Sequence, residues 1–194
     1  MKKFRMFLML LLVAIVLVPG CKDDDDDKTP SNHMTIADNN YELSQAVIMS
    51  YGLYSGTGFT ELLLLSPGLV LNEVNGIFSI TGVGHGISFE IFTATDEMLS
   101  SDVYTYDVDE TENPGTFYIE SAVVGRNTVT GDGTYYDVTG GKLTVEKSET
   151  TYTFSFEGAA SNNVNITASF KGVPVIYDFS DELKSAKASH RIFL

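Results

Sequence analysis

The chain has 194 residues, the length of one ordinary domain, and its 26 acidic side chains outnumber 12 basic ones for a net charge of −14. Such a surface repels phosphate groups, which argues against nucleic acid as a partner. The single cysteine excludes an internal disulfide and a thiolate metal site, while 43% hydrophobic residues supply material for a packed core.

The first 20 residues have the layout of an export signal. Lys2, Lys3 and Arg5 precede an unbroken apolar run over residues 6–18, and Pro19 and Gly20 follow it. As a helix this run would be roughly 20 Å long, which is short of the ~30 Å hydrocarbon core of a bilayer. We therefore predict a cleaved signal peptide over residues 1–20.

The order Leu17-Val18-Pro19-Gly20-Cys21 resembles the lipobox of bacterial lipoproteins, in which the cysteine is lipidated and becomes the mature N-terminus. Gly20 and Cys21 match that pattern, Val18 is a tolerated variant of its leucine, and Pro19 replaces the usual alanine or serine. The resemblance implies a soluble body attached to a membrane through acyl chains on Cys21. The alternative is an ordinary secretory signal with an incidental cysteine.

Residues 21–40 are predicted to form an acidic tether, because the five aspartates between Lys22 and Lys28 repel one another. An acidic run after a lipidated cysteine resembles the surface-export signal of lipoproteins from Bacteroides-like bacteria, which implies an outer-membrane anchor facing the cell exterior. Residues 24–28 also resemble an enterokinase tag, and Ser31-Asn32-His33-Met34 resembles a cloning scar. Whether residues 22–34 are natural or engineered stays open.

From Tyr41 onward apolar and polar residues alternate, which is typical of half-buried strands. The clearest runs lie at residues 142–146, 151–157 and 164–171, and their short polar connections predict an antiparallel meander. Residues 43–53 and the apolar residues 62–65 could be helical, but a strand is favoured for both. We read Ile77 to Thr81 and Ile87 to Ala94 as two strands separated by a glycine-rich turn.

Residues 41–194 are therefore predicted to form one all-β domain of about ten strands, either an antiparallel sandwich or an up-and-down barrel. Ser180 could begin a short C-terminal helix. The runs Ser101-Asp102-Val103-Tyr104-Thr105-Tyr106 and Tyr152-Thr153-Phe154-Ser155-Phe156 resemble the small lipocalin-like or calycin-like domains common among Bacteroides-type lipoproteins.

No catalytic constellation is evident. His85 has no second histidine nearby and the chain has no Gly-x-Ser-x-Gly elbow, so we place His85 in a turn and predict a protein that is not an enzyme and needs no cofactor. The densest acidic cluster comprises Asp107, Asp109, Glu110 and Glu112. It is a weak calcium candidate because the EF-hand pattern fails, and a solvated loop is favoured.

The tyrosines are the remaining candidates for ligand contact. An exposed row of such rings could stack on sugars or contact a protein, whereas cross-strand packing is the alternative. The candidate residues are Tyr104, Tyr106, Tyr118, Tyr135 and Tyr136.

Three functions follow from these patterns. The leading hypothesis is a surface lipoprotein with a non-enzymatic role in binding or surface assembly, and its partner is an unknown protein, glycan or small apolar ligand. The second is a carrier whose barrel cavity is lined by aromatic residues, and the third and weakest is a glycan hydrolase that uses two acids. The predicted cavity residues are Phe89, Phe154, Phe156 and Phe170.

Overall fold

The computed structural model describes residues 32–54, 56–95, 98–119 and 122–180, and within them the chain is all-β. The expected signal peptide, Cys21, the acidic run and the C-terminal helix beyond Ser180 lie outside the described residues. Among the described residues, the one complete helical element is a 3₁₀ turn, Ser161–Asn163. The strands are β1 (His33–Ile36), β2 (Asn39–Glu42), β3 (Gln45–Tyr54), β4 (Thr57–Leu65), β5 (Leu69–Val74), β6 (Ile77–Thr93), β7 (Asp102–Tyr106), β8 (Thr116–Tyr118), β9 (Ala122–Asn127), β10 (Thr134–Tyr136), β11 (Val138–Ser148), β12 (Thr151–Ala160), β13 (Val164–Gly172) and β14 (Val175–Asp178).

The strands form a curled sheet in the order β14-β3-β4-β6-β8-β7-β11-β12-β13-β1-β2, to which β5 and β9 add on β6 and β10 adds on β9. Only Leu43 and Ser44 separate the end of β2 from the start of β3, although these strands lie nine steps apart in that order. In a flat sheet those steps would span roughly 40 Å. Two residues cannot bridge that distance, so the sheet curls into a half-barrel.

The meander of β11, β12 and β13 is antiparallel, as its short polar connections predicted. Two pairs differ from the expected antiparallel arrangement, because β14 runs parallel to β3 and β7 runs parallel to β8. The expectation of about ten strands is also too low, since the described residues contain 14. The additional strands are short, or their apolar and polar residues alternate only weakly.

The prediction of two strands on either side of Gly82-Val83-Gly84 is wrong, because β6 runs unbroken through these glycines. Its first half pairs with β5 and its second half pairs with β4. A Cβ atom on Gly84 would collide with the Ser66 hydroxyl, and one on Gly82 would collide with the Gly68 carbonyl. The glycines therefore permit a close backbone approach where β6 changes partners, and they do not end the strand.

The tether predicted to reach residue 40 is too long. β1 and β2 form a hairpin over residues 33–42, and β1 pairs with β13. Met34, which belongs to the stretch resembling a cloning scar, is fully buried in the core. The five aspartates upstream obscured the alternation of Met34 and Ile36 that marks β1.

Two hydrophobic clusters lie on opposite faces of the curled sheet. The inner cluster fills the half-barrel, and the outer cluster lies between the sheet and the β5–β6 hairpin, Tyr177 and Phe179. Leu62 and Leu64 belong to the inner cluster, whereas Leu63 and Leu65 belong to the outer one. The apolar residues 62–65 are therefore a strand buried on both faces, which confirms the favoured prediction.

Candidate functional site

A surface cleft of about 310 Å³ lies at one end of the half-barrel, where β6 ends and where β7 and β8 begin. This volume is at the lower end of the range of small-molecule sites. We call it the β7 cleft. Its lining residues are Thr93, Ala94, Thr95, Ser100, Asp102, Tyr104, Pro114 and Gly115.

Three polar groups converge at the β7 cleft. Asp102 and Tyr104 occupy alternate positions of β7, so their side chains share one face of the strand. The Tyr104 side chain is 1% exposed, and its hydroxyl is hydrogen-bonded to Ser100. Burial raises the pKa of Tyr104, the hydrogen bond from Ser100 offsets part of this rise, and the nearby Asp102 carboxylate adds a smaller increase. The phenol therefore stays protonated at neutral pH.

The remaining polar contacts of the cleft fix its shape. One oxygen of Asp102, Oδ1, accepts a hydrogen bond of 2.7 Å from the backbone N–H of Val103. The Thr93 hydroxyl donates a 2.8 Å bond to the carbonyl of Thr95. The end of β6 and the start of β7 thus hold their oxygen atoms in defined positions.

The predicted tyrosines do not form an exposed row. Tyr104 belongs to the inner cluster, and Tyr106 and Tyr136 are half-buried against it. The ring of Tyr106 lies 6.2 Å from the ring of Tyr118, while Tyr135 is 44% exposed and its hydroxyl accepts a 2.7 Å hydrogen bond from Arg126. Only Tyr104 lies at the β7 cleft, so cross-strand packing explains most of this set.

The acidic cluster forms an ordered loop around Asp107. Its carboxylate accepts hydrogen bonds from the backbone N–H groups of Asp109 and Thr111 and from the Thr111 hydroxyl. The bond from the Thr111 hydroxyl is the main reason that the pKa of Asp107 is lowered. Glu110 and Glu112 are exposed and adopt positive φ angles. In the part of the chain that the structure describes, no three histidine, cysteine or acidic side chains could hold a metal ion.

His85 lies in the middle of β6, so its predicted placement in a turn is wrong. Its Nδ1 accepts a 3.0 Å hydrogen bond from the backbone N–H of Gly125, and its ring centroid is 4.7 Å from that of Tyr41. Partial burial lowers the pKa of His85, which favours the neutral imidazole that this hydrogen bond requires. The side chain thereby connects β6 to β9 and to the N-terminal hairpin.

A buried polar group that the sequence did not reveal lies on the outer face. Glu61 is 4% exposed, and its Oε2 accepts a 3.2 Å hydrogen bond from the hydroxyl of Tyr51. Glu61 is directly opposite Glu90 across the β4–β6 pair. This pairing follows from the strand order, which alternation within one strand does not predict.

The chain matches no protein-family model, no curated protein and no solved structure. Over the described residues, no helix has both the length and the hydrophobicity to span a bilayer. The function of the protein is therefore inferred from its own residues.

Proposed function

We propose that the protein is a bacterial surface lipoprotein whose all-β body binds a partner or ligand without catalysis. Lipid on Cys21 holds it at the outer membrane, and the acidic run after Cys21 directs the body to the cell exterior. The export-signal pattern of residues 1–20 and the order Gly20-Cys21 support the anchor. More than one acyl chain is needed for stable attachment, and bacterial lipoproteins carry several.

The packing of the interior carries the proposal that binding occurs on the outside of the body. A side chain on the wall of a cavity that admits even one water molecule keeps accessible surface. The four residues expected around a carrier cavity keep almost none: Phe89 and Phe154 are 0% exposed, Phe156 is 1% and Phe170 is 3% exposed. The rings of Phe89 and Phe156 contact each other with centroids 5.3 Å apart. This packing supports surface binding over a lipocalin-like carrier.

The burial of Glu61 supports a role that is not hydrolytic. A glycosidase needs two carboxyl groups on either side of a sugar that reaches them from solvent. Glu61 and Glu90 are opposite each other, but Glu61 is 4% exposed and is covered by the outer cluster. A sugar ring therefore has no access to this pair. The Tyr51–Glu61 hydrogen bond gives Glu61 a structural role.

The anchor is tested in bacteria that express the full chain. Metabolic labelling with a fatty-acid analogue should mark the protein, and the Cys21→Ser variant should lose the label and disappear from the surface of intact cells. The matched control is Pro19→Ala, which changes the same segment towards the usual lipobox residue and should keep the label. Fatty-acid labelling of the Cys21→Ser variant would contradict the proposal.

The role of the acidic run is tested separately. Replacing the aspartates at positions 23–27 with asparagines should keep the fatty-acid label but protect the protein from protease added to intact cells. The first described strand begins at His33, so these substitutions lie outside every described strand. Unaltered protease sensitivity would contradict export by this run.

A further inference from the structure

Among the described residues, the β7 cleft presents oxygen atoms and no cationic side chain to a ligand. The described part of its lining includes one carboxylate, Asp102, and the hydroxyl-bearing residues Thr93, Thr95, Ser100 and Tyr104, but no lysine, arginine or histidine. The whole chain has a net charge of −14. An anionic ligand would meet repulsion from Asp102 and from the surrounding field, whereas a cationic ligand would be attracted by both.

Asp102 retains an acceptor atom for such a ligand. Its Oδ1 accepts from the neighbouring backbone N–H of Val103, and among the described residues its Oδ2 accepts no hydrogen bond. A carboxylate oxygen can accept two hydrogen bonds. The side chain is exposed, so a group in the cleft can reach this oxygen from solvent.

Ser100 adds an acceptor whose position is fixed by its hydrogen bond to Tyr104. The Tyr104 ring is buried in the inner cluster and its hydroxyl is hydrogen-bonded to Ser100. The half-buried Ser100 oxygen keeps lone-pair capacity for a ligand, whereas Tyr104 is 1% exposed and serves to position Ser100. An ammonium group has three donors and no acceptor, which matches one carboxylate flanked by hydroxyl oxygens.

A sugar fits the same lining less well. Sugar sites use an exposed aromatic face, since a ring provides a rigid apolar surface for stacking. Of the described residues that line the β7 cleft, Tyr104 alone is aromatic, and it is 1% exposed. The cleft therefore offers polar contacts to a sugar without a stacking surface.

We propose that the β7 cleft binds a primary ammonium group, with Asp102 as its counter-ion and with Ser100, held by Tyr104, as a neutral acceptor. This inference rests on the proposed binding function and names the ligand chemistry of its cleft. The ammonium group belongs to a small amine or to a lysine side chain of a partner protein. Both sources present the same charge and the same three donors.

The binding test is ligand-observed NMR on the full chain in a mild non-ionic detergent. Butylammonium should bind, and acetate and glucose at the same concentration should not. Asp102→Asn should weaken butylammonium binding about tenfold, the size expected for losing one charge contact near a protein surface. Higher salt should weaken binding to the unsubstituted protein.

The matched control is Asp137→Asn, which removes the same charge at a distant exposed position. Asp102 is paired with Val145, whereas Asp137 precedes Val138 at the other end of β11, so the two residues are roughly 25 Å apart along the strand. This variant should bind butylammonium as tightly as the unsubstituted protein. Equal weakening in both variants would show that only the general field attracts the cation and would overturn the site.

Two further results would overturn the inference: no binding of butylammonium, or tighter binding of glucose than of butylammonium. Either would leave the proposed lipoprotein function intact if Cys21 still carries the fatty-acid label. A peptide with one lysine and acetylated termini separates the two sources. Its binding in competition with butylammonium supports a lysine side chain of a partner, and exclusion of the peptide supports a small amine.

Discussion

The hydroxyl of Tyr51 donates a 3.2 Å hydrogen bond to Oε2 of Glu61 on the neighbouring strand, inside the outer cluster. Burial raises the pKa of Tyr51, and the adjacent carboxylates of Glu61 and Glu90 raise it further. A carboxylate that is 4% exposed needs donors to compensate for the water it has lost. Tyr51 therefore serves as both an apolar ring and a hydrogen-bond donor on this face.

Replacing Tyr51 with phenylalanine should lower the free energy of unfolding by about 1–3 kcal/mol, because Glu61 loses a donor that water cannot replace. Urea denaturation at pH 8 measures this effect. Tyr135→Phe is the control, because Tyr135 is 44% exposed. It should change stability by less than about 0.5 kcal/mol.

The raised pKa of Tyr51 also predicts how stability changes with alkaline pH. The unfolded tyrosine loses its proton near pH 10, whereas the folded one holds it, so the stabilisation is complete below pH 10 and is lost as the pH rises further. The unsubstituted protein should lose stability more steeply between pH 9 and pH 11 than Tyr51→Phe. Parallel slopes for the two proteins would contradict the assignment.

The Asp107 loop predicts the opposite pH dependence. Hydrogen bonds from Thr111 and from backbone N–H groups lower the pKa of Asp107, so its stabilisation is present above about pH 4 and is lost as the pH falls through the folded-state pKa. Asp107→Asn should lower the thermal midpoint at pH 7, and the difference should shrink below pH 4. Asp109→Asn, an exposed change in the same loop, should leave the midpoint unchanged.

The course of β6 predicts an unusual sensitivity at Gly84. Gly84→Ala should destabilise the fold by about 2–3 kcal/mol, since the new methyl group would collide with Ser66 and Leu69. Gly140→Ala is the matched control, because a Cβ atom there has no neighbour within 4 Å. Equal stability of the two variants in chemical denaturation would show that β6 and Ser66 are not in close contact.

The packed interior predicts a large cost for removing one ring. Phe156→Ala should lower the free energy of unfolding by about 3–5 kcal/mol, because Phe89, Phe117 and their neighbours cannot close the cavity fully. Val129→Ala, at a position 91% exposed, should be nearly neutral. A cost at Phe156 below about 1 kcal/mol would indicate a loosely filled interior and would favour the carrier hypothesis.

The alternation of apolar and polar residues predicted those parts of the fold that depend on residues close together in the sequence. The β11–β13 meander and the doubly buried residues 62–65 are examples, because side-chain period and short connections are read directly from the sequence. The sequence did not predict an unbroken β6, because a glycine-rich stretch is a common turn signal. In this strand the glycines allow a close backbone approach instead. The N-terminal hairpin was missed because a charged run precedes it.

The site depended on longer-range information. Tyr104 was singled out from its strand, but its burial and its approach to Ser100 and Asp102 follow from how the ends of β6, β7 and β8 meet. The opposition of Glu61 and Glu90 likewise follows from strand order. The positions of these residues along the sequence do not predict such contacts, because the contacts form only when the sheet curls.

Mass spectrometry of the mature N-terminus tests the central proposal most directly. The protein would be purified from the membranes of bacteria that express the full chain and digested to release the N-terminal peptide. The lipoprotein account predicts a peptide that begins at Cys21 and carries acyl chains. A peptide that begins at another residue, or an unmodified Cys21 at the N-terminus, would contradict it.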